Sequence, residues 1–280
     1  MKSLRVSILG MGLMGGSLAW ALKGQVNSLM AADPDSHTRD QVRSAGLVES
    51  IVENPEEILP LSDVVILAAP VGSILELIPK IPDWHPGQAI VLDLGSTKEQ
   101  ICKQLEKLPS RFDVLGGHPI CGQVQGGFEH ANPDLFRDAI FAFSDLSNTS
   151  ARCRRFGEDL AASIGAIPSW IDPIQHDYIL SATSHLPYIL AAALCLNTPE
   201  GSILYRGPGF ESSSRLASTN RRMMFDVLNS NRHNILQQME QFQHILEEFK
   251  DHLQQENNPK LLALMDRAAA IQKETTREVL

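Results

Sequence analysis

Apolar and polar residues fall in short alternating blocks through the first half of this chain. An apolar run (Val6, Ile8, Leu9) ends in Gly10-Met11-Gly12-Leu13-Met14-Gly15 and passes into a helical pattern from Ser17 to Lys23. A second short run, Ser28 to Ala32, ends in Asp33. Asp63 to Ala69 reads as a buried parallel strand stopped by Pro70, and Val71 to Ile81 as a helix with Ile74, Leu75 and Ile78 on one face. Ala89 to Leu94 reads as the next strand and Thr97 to Leu108 as the next helix. Val114 and Leu115 lead into Gly116-Gly117-His118-Pro119, and Ala139 to Phe143 and Ala166 to Ile171 read as further strands. Strands alternating with helices of this length predict βαβ units and a parallel sheet.

The pattern changes after Asp172-Pro173. Ile174 to Leu196 is one long helical pattern, interrupted by Pro187. Residues 198–212 are rich in Gly, Pro and Ser and read as a loop. From about Ser214 the pattern is helical again. Ile235, Met239, Phe242, Leu246, Phe249 and Leu253 recur at spacings of 4, 3, 4, 3 and 4, an apolar seam suited either to intrachain packing or to a dimer. Asn257-Asn258-Pro259 breaks the seam before a last helix from Lys260 to about Lys273. The expected boundary lies near residue 170: an α/β domain over 1–170 and an all-α domain over 171–280.

Strand, glycine turn, helix, strand, acid is the order of a Rossmann-type dinucleotide fold. Gly10 permits the tight turn, Gly12 has no side chain to block a pyrophosphate, and Gly15 lets helix and strand approach closely. Leu13 and Met14 open the helix whose free N–H groups face the phosphates. Asp33 is placed to accept hydrogen bonds from a ribose 2′-hydroxyl and repels a 2′-phosphate. NAD is therefore the expected cofactor, with NADP open. Ala69 and Pro70, at another strand end, are expected at the cofactor too. The alternative is a glycine turn in an α/β protein without a cofactor.

Composition narrows the classes. The chain has 280 residues, 43% hydrophobic and 20% charged, enough for two sizeable cores. Lys+Arg 24 against Asp+Glu 33 gives −9, which disfavours a general nucleic-acid or membrane-surface binder. The strand pattern begins by Leu4, so no targeting peptide is expected. No uninterrupted apolar run reaches about 18 residues, so no membrane span is expected. Cys102, Cys121, Cys153 and Cys195 match neither zinc spacing nor a disulfide framework, as expected in a cytoplasmic protein without a metal. Cys121 is either a reactive thiol or a packed small residue.

Ligands in open parallel sheets sit beyond the carboxyl ends of the strands. Gly95-Ser96-Thr97-Lys98 and Gly116-Gly117-His118-Pro119 both follow strands. Ser96 and His118 are therefore candidates for one crevice. A histidine near its ordinary pKa suits the base that removes a hydroxyl proton as hydride leaves. His118 is either that base or a buried histidine bonded to backbone. Ser96 is an orienting hydroxyl, a helix N-cap, or both. Lys98 is either solvated or facing an anionic substrate. Ser184-His185-Leu186-Pro187 marks a bend in an apolar helix and suggests a site. Arg215 suits a carboxylate clamp but is barely distinguishable from Arg206, Arg221 or Arg222. His176 reads as a surface or packing residue.

These pieces together resemble the prephenate/arogenate dehydrogenase family of tyrosine biosynthesis. The matching order is GMGLMGGSLA at 10–19, Asp33, AAPV at 68–71, DLGSTK at 93–98, GGHPICG at 116–122, HD at 176–177, SHLPY at 184–188, GF at 209–210 followed by Arg215, and MMFDVLNSN at 223–231. The resemblance implies a homodimer built on the helical domain and oxidative decarboxylation of a cyclohexadienol to an aromatic ring. No fused mutase or regulatory domain is expected within this length. His118 matches the family's catalytic histidine, Ser96 the serine that supports it and the ring hydroxyl, His185 the first histidine of SHLPH, and Arg215 the arginine that holds a substrate carboxylate. The chain departs from the pattern at Tyr188, at Gln123 and Val124, and at Glu211 and Ser212, positions that could line the substrate. Glu211 would favour an amino-bearing substrate such as arogenate over prephenate. Two other readings stay open: a β-hydroxyacid dehydrogenase, which usually needs a lysine that Ile174 to Leu196 lacks, and a non-catalytic NAD-binding protein.

Overall fold

The computed structural model describes residues 1–123 and 125–277, and side chains as far as Lys273. Val124, one of the departures noted above, lies outside the described residues. The chain forms two compact units, Met1–Arg232 and His233–Leu280.

The first unit opens with β1 (Arg5–Leu9), α1 (Leu13–Leu22), β2 (Ser28–Ala32), α2 (Ser36–Ala45), β3 (Ser50–Val52) and β4 (Val64–Leu67). It continues with α3 (Val71–Leu77), α4 (Ile81–Trp84), β5 (Ala89–Asp93), α5 (Glu99–Leu105), β6 (Phe112–Pro119) and β7 (Ile140–Ser144). Then come α6 (Ala151–Ser163), β8 (Ile167–Trp170), α7 (Pro173–Leu180), α8 (Leu186–Leu196), α9 (Pro208–Ser214) and α10 (Arg221–Ser230). The strands form one sheet in the order β3-β2-β1-β4-β5-β6-β7-β8. The parallel sheet expected from the pattern is correct for β1 to β6 and for β7 with β8. The β6–β7 pair is antiparallel, with His118 opposite Ala142. That exception arises because residues 120–139 return without the long helix a parallel crossover needs.

Alternation along each strand assigns side chains to two cores. Val6, Ile8, Val64, Ile66, Ile90 and Leu92 pack on one face with α1 and α6. Leu9, Val65, Leu67, Ala89 and Val91 pack on the other with α3 and α5. Both faces are covered, so the central strands read as continuous apolar runs rather than alternating ones.

The 174–196 pattern is not one helix bent at its proline. Ser181–His185 form a π turn between α7 and α8, in which the Leu186 N–H donates to the Ser181 carbonyl. Pro187 has no N–H to continue the ordinary ladder, so the irregularity falls upstream of it. Pro173–Leu196 is long and apolar enough by composition to cross a membrane, contrary to the run-length reading. It nevertheless carries buried His176, Asp177, Ser181 and His185 and packs against α5 within this unit. The expected loop over 198–212 runs into α9, which begins at Pro208.

The second unit is a pair of helices, α11 (Arg232–Gln254) and α12 (Asn258–Arg277). Ile235 is buried, while Leu246 and Leu253 of the apolar seam are exposed.

The glycine turn between β1 and α1 is packed to contact. Gly10 has φ +98°, and a Cβ there would lie 2.8 Å from the Ala68 carbonyl oxygen. A Cβ on Gly15 would overlap the Gly10 carbonyl oxygen, whereas one on Gly12 would meet open space. Gly15→Ala is therefore expected to cost about 2 kcal/mol or more, as overpacking does. Gly12→Ala is expected to leave the thermal midpoint nearly unchanged. Thermal melts of the two variants check this contrast.

Candidate active site

Two features stand at the carboxyl ends of the parallel strands. The first is the opening of α1. Its N-cap, Gly12, supplies no side-chain hydrogen bond, and the first turn carries no acid. The leading N–H groups therefore have no side-chain cap, and a Cβ built on Gly12 would meet open space. That is the geometry a pyrophosphate needs, and a nucleotide fits it. Asp33 ends β2 beside this turn: its Oδ2 accepts the Met11 N–H at 2.7 Å and its Oδ1 the Asp35 N–H at 2.9 Å. The carboxylate thus braces the turn and remains half-buried at the crevice. Leu13, Met14 and Ala69 are half-buried around it, and Pro70 is exposed.

The second feature lies where β5, β6 and α7 meet. Asp93 ends β5, fully buried, and accepts the Gly95 N–H at 2.8 Å and the Gly117 N–H at 3.1 Å. Its third partner is the Lys98 ammonium. Lys98 is itself fully buried, which corrects its reading as solvated or facing an anionic substrate. Removed from water, the ammonium needs a carboxylate, and Asp93 supplies one. The paired glycines of β6 also have a steric cause. A Cβ on Gly116 would lie 2.7 Å from the Cys102 sulfur, and one on Gly117 2.7 Å from the Asp93 carbonyl oxygen.

His118 follows these glycines, half-buried at the end of β6. Its Nδ1 lies 2.9 Å from Nε2 of His176, whose Nδ1 lies 2.8 Å from Oδ1 of Asp177. Asp177 also accepts the Lys98 N–H at 2.7 Å and the Glu99 N–H at 2.9 Å, and so caps α5 from another helix. Of the two sequence expectations for His176, a surface or a packing residue, burial removes the first. His176 is fully buried and bonded to His118. Asn231 joins the group from the end of α10: its Nδ2 donates to the Asp177 carbonyl at 2.6 Å and lies 3.1 Å from Nδ1 of His185.

Burial, reinforced by the neighbouring His176, Lys98 and His185, holds the His118 pKa well below 6.5. Burial likewise lowers His185 to about 4, against an opposing pull from Asp177. Both imidazoles are thus neutral near pH 7, and His118 is a free base there. Burial raises the Cys121 thiol to about 11, so it packs as a thiol rather than acting as a thiolate nucleophile. All four cysteines are free. Among the described residues, no group of three or more His, Cys, Asp or Glu side chains is placed to hold a metal ion.

The other sequence candidates are spread around this cluster. Ser96 is half-buried in the bend between β5 and α5. It is not the helix cap, since Asp177 takes that role. Tyr188 lies half-buried on α8 shortly after His185, and Gln123 is exposed in the chain after β6. Arg215 is exposed in a turn packed against α8, outside the hydrogen-bonded cluster, and Glu211 is exposed in α9. The sequence reading gave no role to Asp93, Asp177 or Asn231. Each lies within a segment that carries the resemblance (DLGSTK, HD and MMFDVLNSN), and each is a polar residue in or at the end of an apolar strand or helix.

Residues 18–165 match the family described as prephenate dehydrogenase, nucleotide-binding domain, and residues 172–267 that described as prephenate dehydrogenase, dimerization domain. A prephenate dehydrogenase of Bacillus subtilis is 26% identical over 275 residues, covering 93% of this chain and 74% of its own length. A cyclohexadienyl dehydrogenase of Zymomonas mobilis is 24% identical over 249 residues, covering 85% and 84%. A solved prephenate dehydrogenase of A. aeolicus, in complex with hydroxyphenyl propionate and NAD+, superposes with a TM-score of 0.90 at 25% identity, covering 98% and 99%.

The depressed His185 pKa carries a stability consequence. The unfolded chain takes up a proton on this residue below about 6.5, while the fold resists it until about 4. Stability is therefore greatest above 6.5 and falls as pH drops through that window. His118 acts in the same direction. Urea midpoints measured from pH 7 to pH 4 should decline, and His185→Gln should show a shallower decline than the wild type.

Proposed function

The chain belongs to the prephenate dehydrogenase family, and from that membership we propose an NAD-dependent oxidative decarboxylation of prephenate, arogenate or both, in tyrosine biosynthesis. The observation that carries this reading is the His118 imidazole at the end of β6, held through Nδ1 by His176 with Nε2 left for a substrate. The family membership also favours this reading over a β-hydroxyacid dehydrogenase or a non-catalytic NAD-binding protein. A bound nicotinamide supplies the hydride acceptor for the carbinol carbon, and aromatisation drives the loss of carbon dioxide. His118 takes up the proton of the ring hydroxyl at Nε2. Ser96, in the adjoining bend, orients that hydroxyl or the imidazole. The exposed guanidinium of Arg215 is the proposed carboxylate clamp, with His185, Tyr188 and Gln123 shaping the substrate side. Lys98 has no place in that contact, because its ammonium is occupied by Asp93.

The α1 opening, Gly10 to Gly15, binds the pyrophosphate in this proposal, with Ala69 and Pro70 beside the cofactor. Asp33 takes the ribose and disfavours the 2′-phosphate of NADP. Exposed Leu246 and Leu253, together with the family's dimerization description, support a homodimer through the helical part. The free cysteines suit a cytoplasmic setting.

The test is the purified protein with NAD or NADP and either prephenate or arogenate, followed by absorbance of the reduced cofactor. Turnover of at least one substrate is expected, and turnover of neither overturns the proposal. His118→Asn should lower kcat by about 10²-fold or more, as loss of a general base does, with nucleotide affinity retained. Normal turnover in that variant would remove His118 from the role. Asp33→Ser should shift the NAD:NADP ratio of kcat/KM towards NADP, and an unchanged ratio would place the ribose elsewhere.

A further inference from the structure

We propose that His176 and Asp177 are positioning residues that hold neutral His118 in one tautomer, with the ring proton on Nδ1 and the lone pair on Nε2. This rests on the reading of His118 as the proton acceptor, and it assigns work to two residues that never meet the reacting atoms.

Donors and acceptors along the relay fix the direction of each bond. Main-chain N–H groups can only donate, and the Asp177 carboxylate faces two of them, from Lys98 and Glu99. The start of α5 also favours a negative charge there. Asp177 is therefore an acceptor towards its third partner, and His176 Nδ1, 2.8 Å away, carries the hydrogen. With that one ring hydrogen on Nδ1, His176 presents a lone pair at Nε2. That lone pair faces His118 Nδ1 at 2.9 Å, so His118 Nδ1 must be the donor. In the other tautomer two lone pairs would oppose each other at 2.9 Å, too close for a water between them. The outcome is an Nε2 lone pair on the ring edge not taken by His176.

The same relay suits the protonated state. When His118 gains a proton at Nε2, its Nδ1–H keeps its bond to His176, and the carboxylate of Asp177 stands behind. The charged and titratable groups around His118 are His176, His185 and Lys98. Lys98 is paired with Asp93, and Asp177 is the anion at the far end of the relay, behind His176. Asn231 holds the Asp177 carbonyl, which keeps the end of α7 in register with the relay.

The direct measurement is the 15N spectrum of histidine-labelled protein at neutral pH, comparing wild type, His176→Leu and His176→Gln. Wild-type His118 should show the Nδ1–H tautomer, and a wild-type ring protonated on Nε2 overturns the proposal without any variant. In a folded His176→Leu protein the tautomer should become mixed and kcat should fall about tenfold with KM little changed. That is part of the roughly 10²- to 10⁴-fold a positioned base contributes. His176→Gln, whose amide oxygen can still accept from Nδ1, should recover part of kcat. A folded His176→Leu that keeps the Nδ1–H tautomer and full kcat also overturns it. Failure of His118 as base would instead appear as an active His118→Asn, whatever the tautomer, so the two failures are distinguishable.

Discussion

A buried carboxylate within α7, that of Asp177, organises the chemistry of the first unit. Asp177 is out of water, where an unpaired charge would cost several kcal/mol. It is stabilised by two N–H groups at the opening of α5 and by the imidazole of its own neighbour. Those bonds tie the loop after β5 to a helix some 80 positions further along the chain. They also determine where His176 points, and through it where His118 points. The helix opening gains its cap, the carboxylate gains its donors, and the relay gains its orientation from one contact.

A second buried charge works beneath the first. Asp93 and Lys98 form an ion pair that water does not reach. Replacing such pairs with apolar residues is often neutral for stability, so their use here lies in geometry. Asp93 also takes the N–H groups of Gly95 and Gly117, which sets the ends of β5 and β6 relative to each other. His118 is carried on the strand that this carboxylate holds. The same low-dielectric surroundings keep His118 and His185 neutral, so burial supplies the protonation state and hydrogen bonding supplies the direction.

The π turn has a comparable part. His176 and His185 stand nine residues apart, which at about 100° per residue would place them on opposite faces of an unbroken α-helix. The wider turn over Ser181–His185 alters that rotation, and Asn231 spans the Asp177 carbonyl and the His185 ring. Pro187 is the covalent cause, since it withholds a donor one turn later.

What the amino-acid order determined by itself was local. The glycine turn, the acid ending β2 and the alternating runs specify strand, turn and helix, because backbone sterics and side-chain periodicity act over a few residues. The expected Rossmann-type unit and the candidate histidine on β6 followed from them. Tertiary structure alone decided the antiparallel β7, the burial of Lys98 and the role of His176. Each depends on which group lies opposite once distant segments meet. A lysine in a first turn looks solvated until a carboxylate closes over it. A histidine beside an aspartate looks ordinary until a strand end arrives 2.9 Å away. Hydrogen-bond partners far apart in the chain leave no period in the sequence, and so the relay became visible only in the fold.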